Sequence, residues 1–301
     1  MPERREREID RRAVARVSRH QLRARSPVEG YYSGIHKSPY HGFNVEFAEY
    51  REYSPGDDPR YLDWRVLARS ERFFVKQFEA ETNLSCYVLL DASASMDFTT
   101  NTQTRLDYGA SLAAALCLLM LRQGDQAGLV VFDNAVREFI PPRGNARHFA
   151  SILQVLERVK PGRDTNISAV LHRIVEQIRR RSMVIVVSDF FDDVGSVLLG
   201  LQHFRHRRHE VIALHLLDDA ELTFPFDRTT LFEGMERGEQ VVADPRVIGE
   251  GYRTRFQQYL EEFRRGCLEK DIDYERMLLS EPFDRALVNY LGRLARRGGR
   301  S

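Results

Sequence analysis

Apolar and polar positions follow two different periods along this chain. Four short runs are almost continuously apolar and bounded by small or charged residues: Cys86–Leu90, Ala127–Phe132, Met183–Val187 and Val211–Leu217. Such runs read as strands buried on both faces. Between them lie stretches with helical spacing. Arg105–Gln123 is apolar nearly all round its centre, SLAAALCLLML, and so reads as a buried helix. Ala146–Val159, Ile167–Arg181 and Val194–Arg208 are further helices. This alternation predicts an α/β fold with a doubly wound, mostly parallel sheet in a three-layer sandwich. Asp133-Asn134 is a tight turn, and Val136–Ile140 is expected to pair back as a hairpin strand stopped by Pro141-Pro142.

The flanks read less sharply. Asp218–Asp244 carries two weak β runs, consistent with a hairpin insertion, and Val247–Leu268 returns to helical spacing. Asp273–Leu279 reads as a last strand and Phe283–Leu294 as a closing helix. Upstream, Met1–Arg25 is Arg-rich with sparse apolar residues at helical spacing, which reads as a solvated helix. Gly30–Glu81 is rich in Gly, Pro, Tyr and Phe and reads as a small β-rich region. The expected organisation is therefore 1–81 as an N-terminal region and 82–297 as the main domain. Within the former, Glu52–Arg69 interleaves Asp58, Arg60, Asp63, Arg65 and Arg69 around Trp64, either as a charge network stapling the region down or as a docking surface.

Composition narrows the function classes. A chain of 301 residues with 43% hydrophobic and 30% charged content is ordinary for a globular protein. Its net charge of +1, from 45 basic and 44 acidic residues, gives no global argument for nucleic acid. Cys86, Cys117 and Cys267 are far apart in apolar contexts, which suits buried thiols in a reducing compartment. No run is long enough to span a bilayer and the N-terminus lacks a signal-peptide core, so a cytoplasmic location is expected. His203, His206 and His209 sit among arginines and read as a solvated basic helix end, not a metal site.

The candidate chemistry lies where strands end. Asp91 closes one apolar run, and Ser93 and Ser95 follow at alternate positions. Asp189 closes another, and the loop Lys160–Thr165 returns to the same sheet edge, bringing Thr165. Ligands bind beyond the carboxyl ends of the strands in open sheets of this kind. An all-oxygen cluster of carboxylates and hydroxyls suits a hard cation such as Mg²⁺ or Mn²⁺. The plain structural roles are capping: the serines for the next helix, and Thr165 for the helix near Ile167.

Together, D-A-S-A-S at Asp91–Ser95, Thr165 in D-T-N-I, and Ser188-Asp189 resemble the metal-ion-dependent adhesion site of von Willebrand factor type A domains, and the element order from about Leu84 to Leu294 is similar. The resemblance implies Ser93, Ser95 and Thr165 as hydroxyl ligands, with Asp91 and Asp189 as carboxylate partners acting directly or through water. It implies a divalent cation, Mg²⁺ first, with Mn²⁺ or Ca²⁺ as alternatives. The upstream stretch E-Y-S-P-G-D-D-P-R-Y-L-D-W-R-V-L-A-R, with V-K-Q-F-E-A-E after it, resembles the bacterial DUF58 family (domain of unknown function). Members are often encoded beside MoxR-type AAA+ ATPases, which implies such a partner. One departure is Asp164, where many relatives have a small residue before the threonine.

The function these residues imply is a non-enzymatic, metal-dependent protein-interaction module that binds an acidic residue of a partner. A metal-dependent hydrolase or phosphatase using the same site is the alternative, and a scaffold with a vestigial site is another. No general base stands out, and no phosphate loop of the G-x-x-x-x-G-K-[ST] type is present, so the chain is not expected to hydrolyse ATP.

Overall fold

The computed structural model describes residues 46–52, 73–79, 84–162, 166–234 and 240–298. The chain divides into two compact units: one from Ser85 onward, and a second that holds a short hairpin. In the hairpin, β1 (Glu46–Glu52) pairs antiparallel with β2 (Phe74–Glu79), with an irregularity between Phe47 and Glu49. The expected helix over Met1–Arg25 and the charge network around Trp64 lie outside the described residues.

The main unit is built on six strands in the order β10-β7-β6-β3-β4-β5. They are β3 (Ser85–Asp91), β4 (Gln126–Phe132), β5 (Val136–Arg143), β6 (Met183–Ser188), β7 (Glu210–Leu217) and β10 (Asp273–Leu278). All pair in parallel except β5, which runs antiparallel to β4. β3, β4, β6 and β7 are buried nearly end to end, as their unbroken apolar runs require. Successive residues of a strand face opposite ways, so each strand feeds two cores.

On one face, Tyr87, Leu89, Val184, Val186 and Ala213 pack against α3 (Ile167–Gln177), α4 (Val194–His206) and Phe263 and Cys267 of α6 (Pro245–Glu269). The opposite face carries α1 (Arg105–Arg122), with α2 (Ala146–Arg158) and α7 (Phe283–Gly298) beside it. A Cβ on Gly109 of α1 would meet the side chains of Leu90, Leu216 and Val187, which shows how closely that helix lies on the sheet. Between β7 and α6 come α5 (Asp219–Thr223) and a hairpin of β8 (Thr230–Glu233) and β9 (Gln240–Ala243). Among the described residues, no helix is long and apolar enough to cross a membrane.

Two details depart from the sequence pattern. β5 does not stop at Pro141-Pro142 but continues through both to Arg143. It is an edge strand, where a missing N–H is tolerated, and its register against β4 shifts between Ala127 and Leu129. Gly128 makes room for that irregularity, because a Cβ there would stand 2.6 Å from the Ile140 carbonyl oxygen. Second, the three histidines at the end of α4 and just beyond it do not form one solvated end. His209 is buried, its Nδ1 accepting from the Ser182 N–H at 3.1 Å. His203 instead meets His172 of α3, Nδ1 to Nδ1, at 2.7 Å.

Candidate metal centre

β3 and β6 are adjacent and parallel, so their C-terminal ends bring Asp91 and Asp189 to one edge of the sheet. The Asp91 side chain is sealed from water. Its Oδ1 accepts from the Ser93 N–H at 2.9 Å and its Oδ2 from the Ser188 hydroxyl at 2.6 Å. The chain then turns through a short 3-10 helix, Ala94–Asp97, capped by Ser93 without a side-chain hydrogen bond. The Ser93 hydroxyl is therefore free of the capping role, and it faces the Ser95 hydroxyl at 3.0 Å. Burial first, and the neighbouring Asp189 carboxylate second, push the Asp91 carboxyl up to about 7.

Asp189 is held from two sides. Its Oδ1 accepts from the Phe191 N–H at 3.3 Å, and its Oδ2 from Arg105 Nη1 at 3.0 Å. The next residue, Phe190, sits in left-handed backbone space at φ 49°. A bulky side chain is seldom found there, and such outliers persist only where surrounding contacts fix them. Here Ser188 Oγ accepts from the Phe190 N–H at 2.8 Å, and Tyr259 of α6 donates to the Phe190 carbonyl at 2.6 Å. The Ser188 hydroxyl thus ties Asp91 to the turn that carries Asp189.

Arg105 is the residue that the sequence reading missed. Almost wholly buried, it donates from Nη1 to the Ser95 carbonyl at 2.9 Å as well as to Asp189, and pairs through Nη2 with Glu221. Its guanidinium lies 4.9 Å from the centre of the Phe98 ring. One signal was available: Arg105 opens α1, and a cation in the first turn opposes the helix dipole. Glu221 completes a capping box with Asp218 at the start of α5, so the ion pair locks that segment to the site.

Thr165, with Asp164, falls outside the described residues. The residues flanking it do reach the site. The Gly162 N–H donates to the Ala92 carbonyl at 2.7 Å, and the Ile167 N–H to Asp192 Oδ2 at 3.2 Å. The cap of α3 is Asn166, whose side chain accepts from the Ala169 N–H at 3.0 Å, so the capping role expected for Thr165 falls one residue later.

The residues present suit a small hard cation. Two carboxylates share a buried edge and, among the described residues, Asp189 has one arginine and Asp91 only neutral donors. A divalent ion would supply the positive charge that this pair lacks, with the Ser93 and Ser95 hydroxyls as further oxygen donors. Among the described residues, no group of three or more His, Cys, Asp or Glu could hold a metal. Binding would therefore depend on the hydroxyls. Beside the site, Phe191, Val247, Ile248, Tyr252, Phe256 and Tyr259 line an open apolar groove of about 630 Å³.

Comparison with known proteins identifies the family. The family described as Protein of unknown function DUF58 matches residues 49–265, more than half of the chain. An uncharacterized protein of Mycobacterium tuberculosis is 27% identical over 234 residues, covering 76% of this chain and 73% of that protein. Uncharacterized protein YeaD of Bacillus subtilis is 28% identical over 120 residues, 40% of this chain and 28% of its own length. Among solved structures, the conserved hypothetical protein BatB from Bacteroides thetaiotaomicron matches 70% of this chain and 98% of its own, at 17% identity and a TM-score of 0.48. The VWA domain of SpRpn10 covers 68% of this chain and 94% of its own, at 11% identity and a TM-score of 0.40.

Proposed function

Because the chain belongs to the DUF58 family, whose site here is built of oxygen donors at two strand ends, we propose that it is a non-enzymatic, metal-dependent protein-interaction module. The observation that carries this reading is the pair of Ser93 and Ser95 hydroxyls, 3.0 Å apart, beside a buried Asp91 that has no cationic partner among the described residues. Asp91, Ser93, Ser95, Asp189 and Thr165 are the proposed ligand set, with Mg²⁺ as the ion. Such a set leaves part of the coordination sphere open, because these cations take six or more oxygens. An Asp or Glu of a partner protein fills the open position. The partner proposed is a MoxR-type AAA+ ATPase.

The chain's own residues have separable tasks in this reading. Asp91 and the two serines hold the cation. Arg105 fixes Asp189 and keeps one carboxylate neutralised without occupying Asp91. Ser188 and Tyr259 hold the turn between the strand and the groove. A hydrolase using this site would need a general base with a pKa near the working pH. The nearest histidine in β7, His215, is enclosed, hydrogen-bonded to the Tyr274 hydroxyl at 3.0 Å, and pushed down to about 3 by burial.

The test is calorimetric titration of Mg²⁺ into the wild type and Ser95→Ala, followed by capture of a purified MoxR-type ATPase with metal or chelator. The reading requires that the alanine variant lose metal affinity at least tenfold and that capture need the metal. Retention of the ATPase in chelator would overturn it. Mg²⁺-dependent phosphatase turnover abolished by Ser93→Ala would install the enzyme in its place.

A further inference from the structure

A net charge of +1 conceals an uneven distribution. The parallel strands run from one edge of the sheet to the other, and the carboxylates described above crowd the C-terminal edge. The opposite edge carries arginines. Arg179 and Arg180 precede β6, Arg207 and Arg208 precede β7, and Arg143 and Arg147 flank the end of the antiparallel β5, which returns to the same edge. All six are exposed, and among the described residues none has a carboxylate partner. Neighbouring cations that are paired, Arg181 with Glu210 and Arg205 with Asp271, are already accounted for.

Helix dipoles explain only part of this. A cation in the last turn of a helix is favourable, and α4 has His203, Arg205 and His206 there. The last turn of α3 holds no basic residue, and its arginines come after the helix has ended. Arg208 takes left-handed backbone at φ 66°, a position past a helix end that normally favours glycine. Arginine stands there against backbone preference. Arg143 and Arg147 also line an open cavity of about 450 Å³.

From this edge we propose that the protein docks peripherally on an anionic lipid surface, with the arginines meeting headgroup phosphates and the candidate metal centre facing away. Charge complementarity selects an anionic partner, and Leu268 selects a bilayer over nucleic acid. Leu268 is 71% exposed at the end of α6, which leads into β10 at this same edge. An exposed apolar side chain at the edge that carries the arginines, here followed by Glu269, Lys270 and Asp271, suits a headgroup boundary. Single-stranded nucleic acid would instead call for aromatic stacking platforms, and among the described residues no exposed aromatic ring stands at this edge. Six strands of this length separate the two edges by roughly 20 Å, so a bilayer on one leaves the other open.

The experiment is co-sedimentation of the full chain with vesicles of phosphatidylcholine alone, or with added phosphatidylglycerol. The proposal expects binding only to the anionic vesicles, weakening with salt. Arg180→Gln with Arg207→Gln should weaken it by roughly 25-fold, at about fivefold per arginine. Arg228→Gln with Arg285→Gln removes the same charge elsewhere and should leave binding nearly unchanged. Absence of vesicle binding overturns the proposal, as does equal loss in the two double variants. Tighter binding to a DNA duplex, lost in the same edge variant, would reassign the surface to nucleic acid. None of these outcomes depends on metal, so the reading of the carboxylate edge stands or falls separately.

Discussion

Arg105 Nη1 and Asp189 Oδ2 meet at 3.0 Å with both side chains about 4% exposed. A buried ion pair contributes little net stability by itself, because desolvation offsets most of the attraction. Removing one partner is different, since the other charge is left in low dielectric.

Arg105→Met should therefore cost about 3–5 kcal/mol, the range for an uncompensated buried charge. It orphans Asp189 and Glu221 together. Chemical denaturation with an unchanged slope is the check. A loss below about 1 kcal/mol would mean that water reaches the pair and that it behaves as a surface bridge.

Gly162→Ala tests whether the threonine-bearing loop is keyed to the Asp91–Ser95 loop, where the cation is proposed to bind. The added Cβ would stand 2.1 Å from Asp133 Oδ2, so either that carboxylate turns aside or the loop moves away from Ala92, and the variant is expected to take the second course because Asp133 is buried. Mg²⁺ affinity should fall several-fold by calorimetry, with a stability loss of about 1–3 kcal/mol, typical of overpacking. Unchanged affinity would separate Gly162 from the site.

Gly128→Ala places a Cβ 2.6 Å from the Ile140 carbonyl oxygen and 2.9 Å from Pro142 N. Both are backbone atoms of β5 and cannot rotate away. The denaturation midpoint should fall, by about 1–3 kcal/mol in stability, while Mg²⁺ affinity stays near the wild-type value. A wild-type midpoint would show that the β5 edge yields freely.

His215 sets an acid limit. Burial holds its pKa down to about 3, against about 6.5 for an unfolded histidine. The unfolded chain binds the extra proton first, so the contribution of His215 is complete above about pH 6.5 and is lost as pH falls toward 3. His215→Phe, placed among the rings of Phe190, Phe263 and Tyr274, should flatten the decline of melting temperature across that window. An identical slope would assign acid sensitivity to the carboxylates instead.

The sheet and the strand-end aspartates were legible because strands buried on both faces are written as unbroken apolar runs, and Asp91 and Asp189 follow the two plainest. Arg105 was not, since periodicity reports where apolar residues lie and carries no record of a charge buried by its partners. β5 passed through two prolines because the tolerance belongs to its place at the sheet edge, which pairing order decides. His209 looked exposed among arginines, yet the chain folds it inward onto Ser182. The arginine edge was hidden for another reason: a net charge sums over positions that the strand direction sorts to opposite ends.

The prolines at the rim have a consequence for self-association. An unpaired outer strand is a template on which another chain can continue the ladder. N–H groups of successive strand residues point alternately toward the neighbour and outward, so in a consecutive pair one always points outward. At Pro141 and Pro142 whichever residue that is has no N–H to offer. β5 is thus a poor seed for cross-strand polymerisation, and copies of this protein would have to find each other by some route other than lengthening the sheet there.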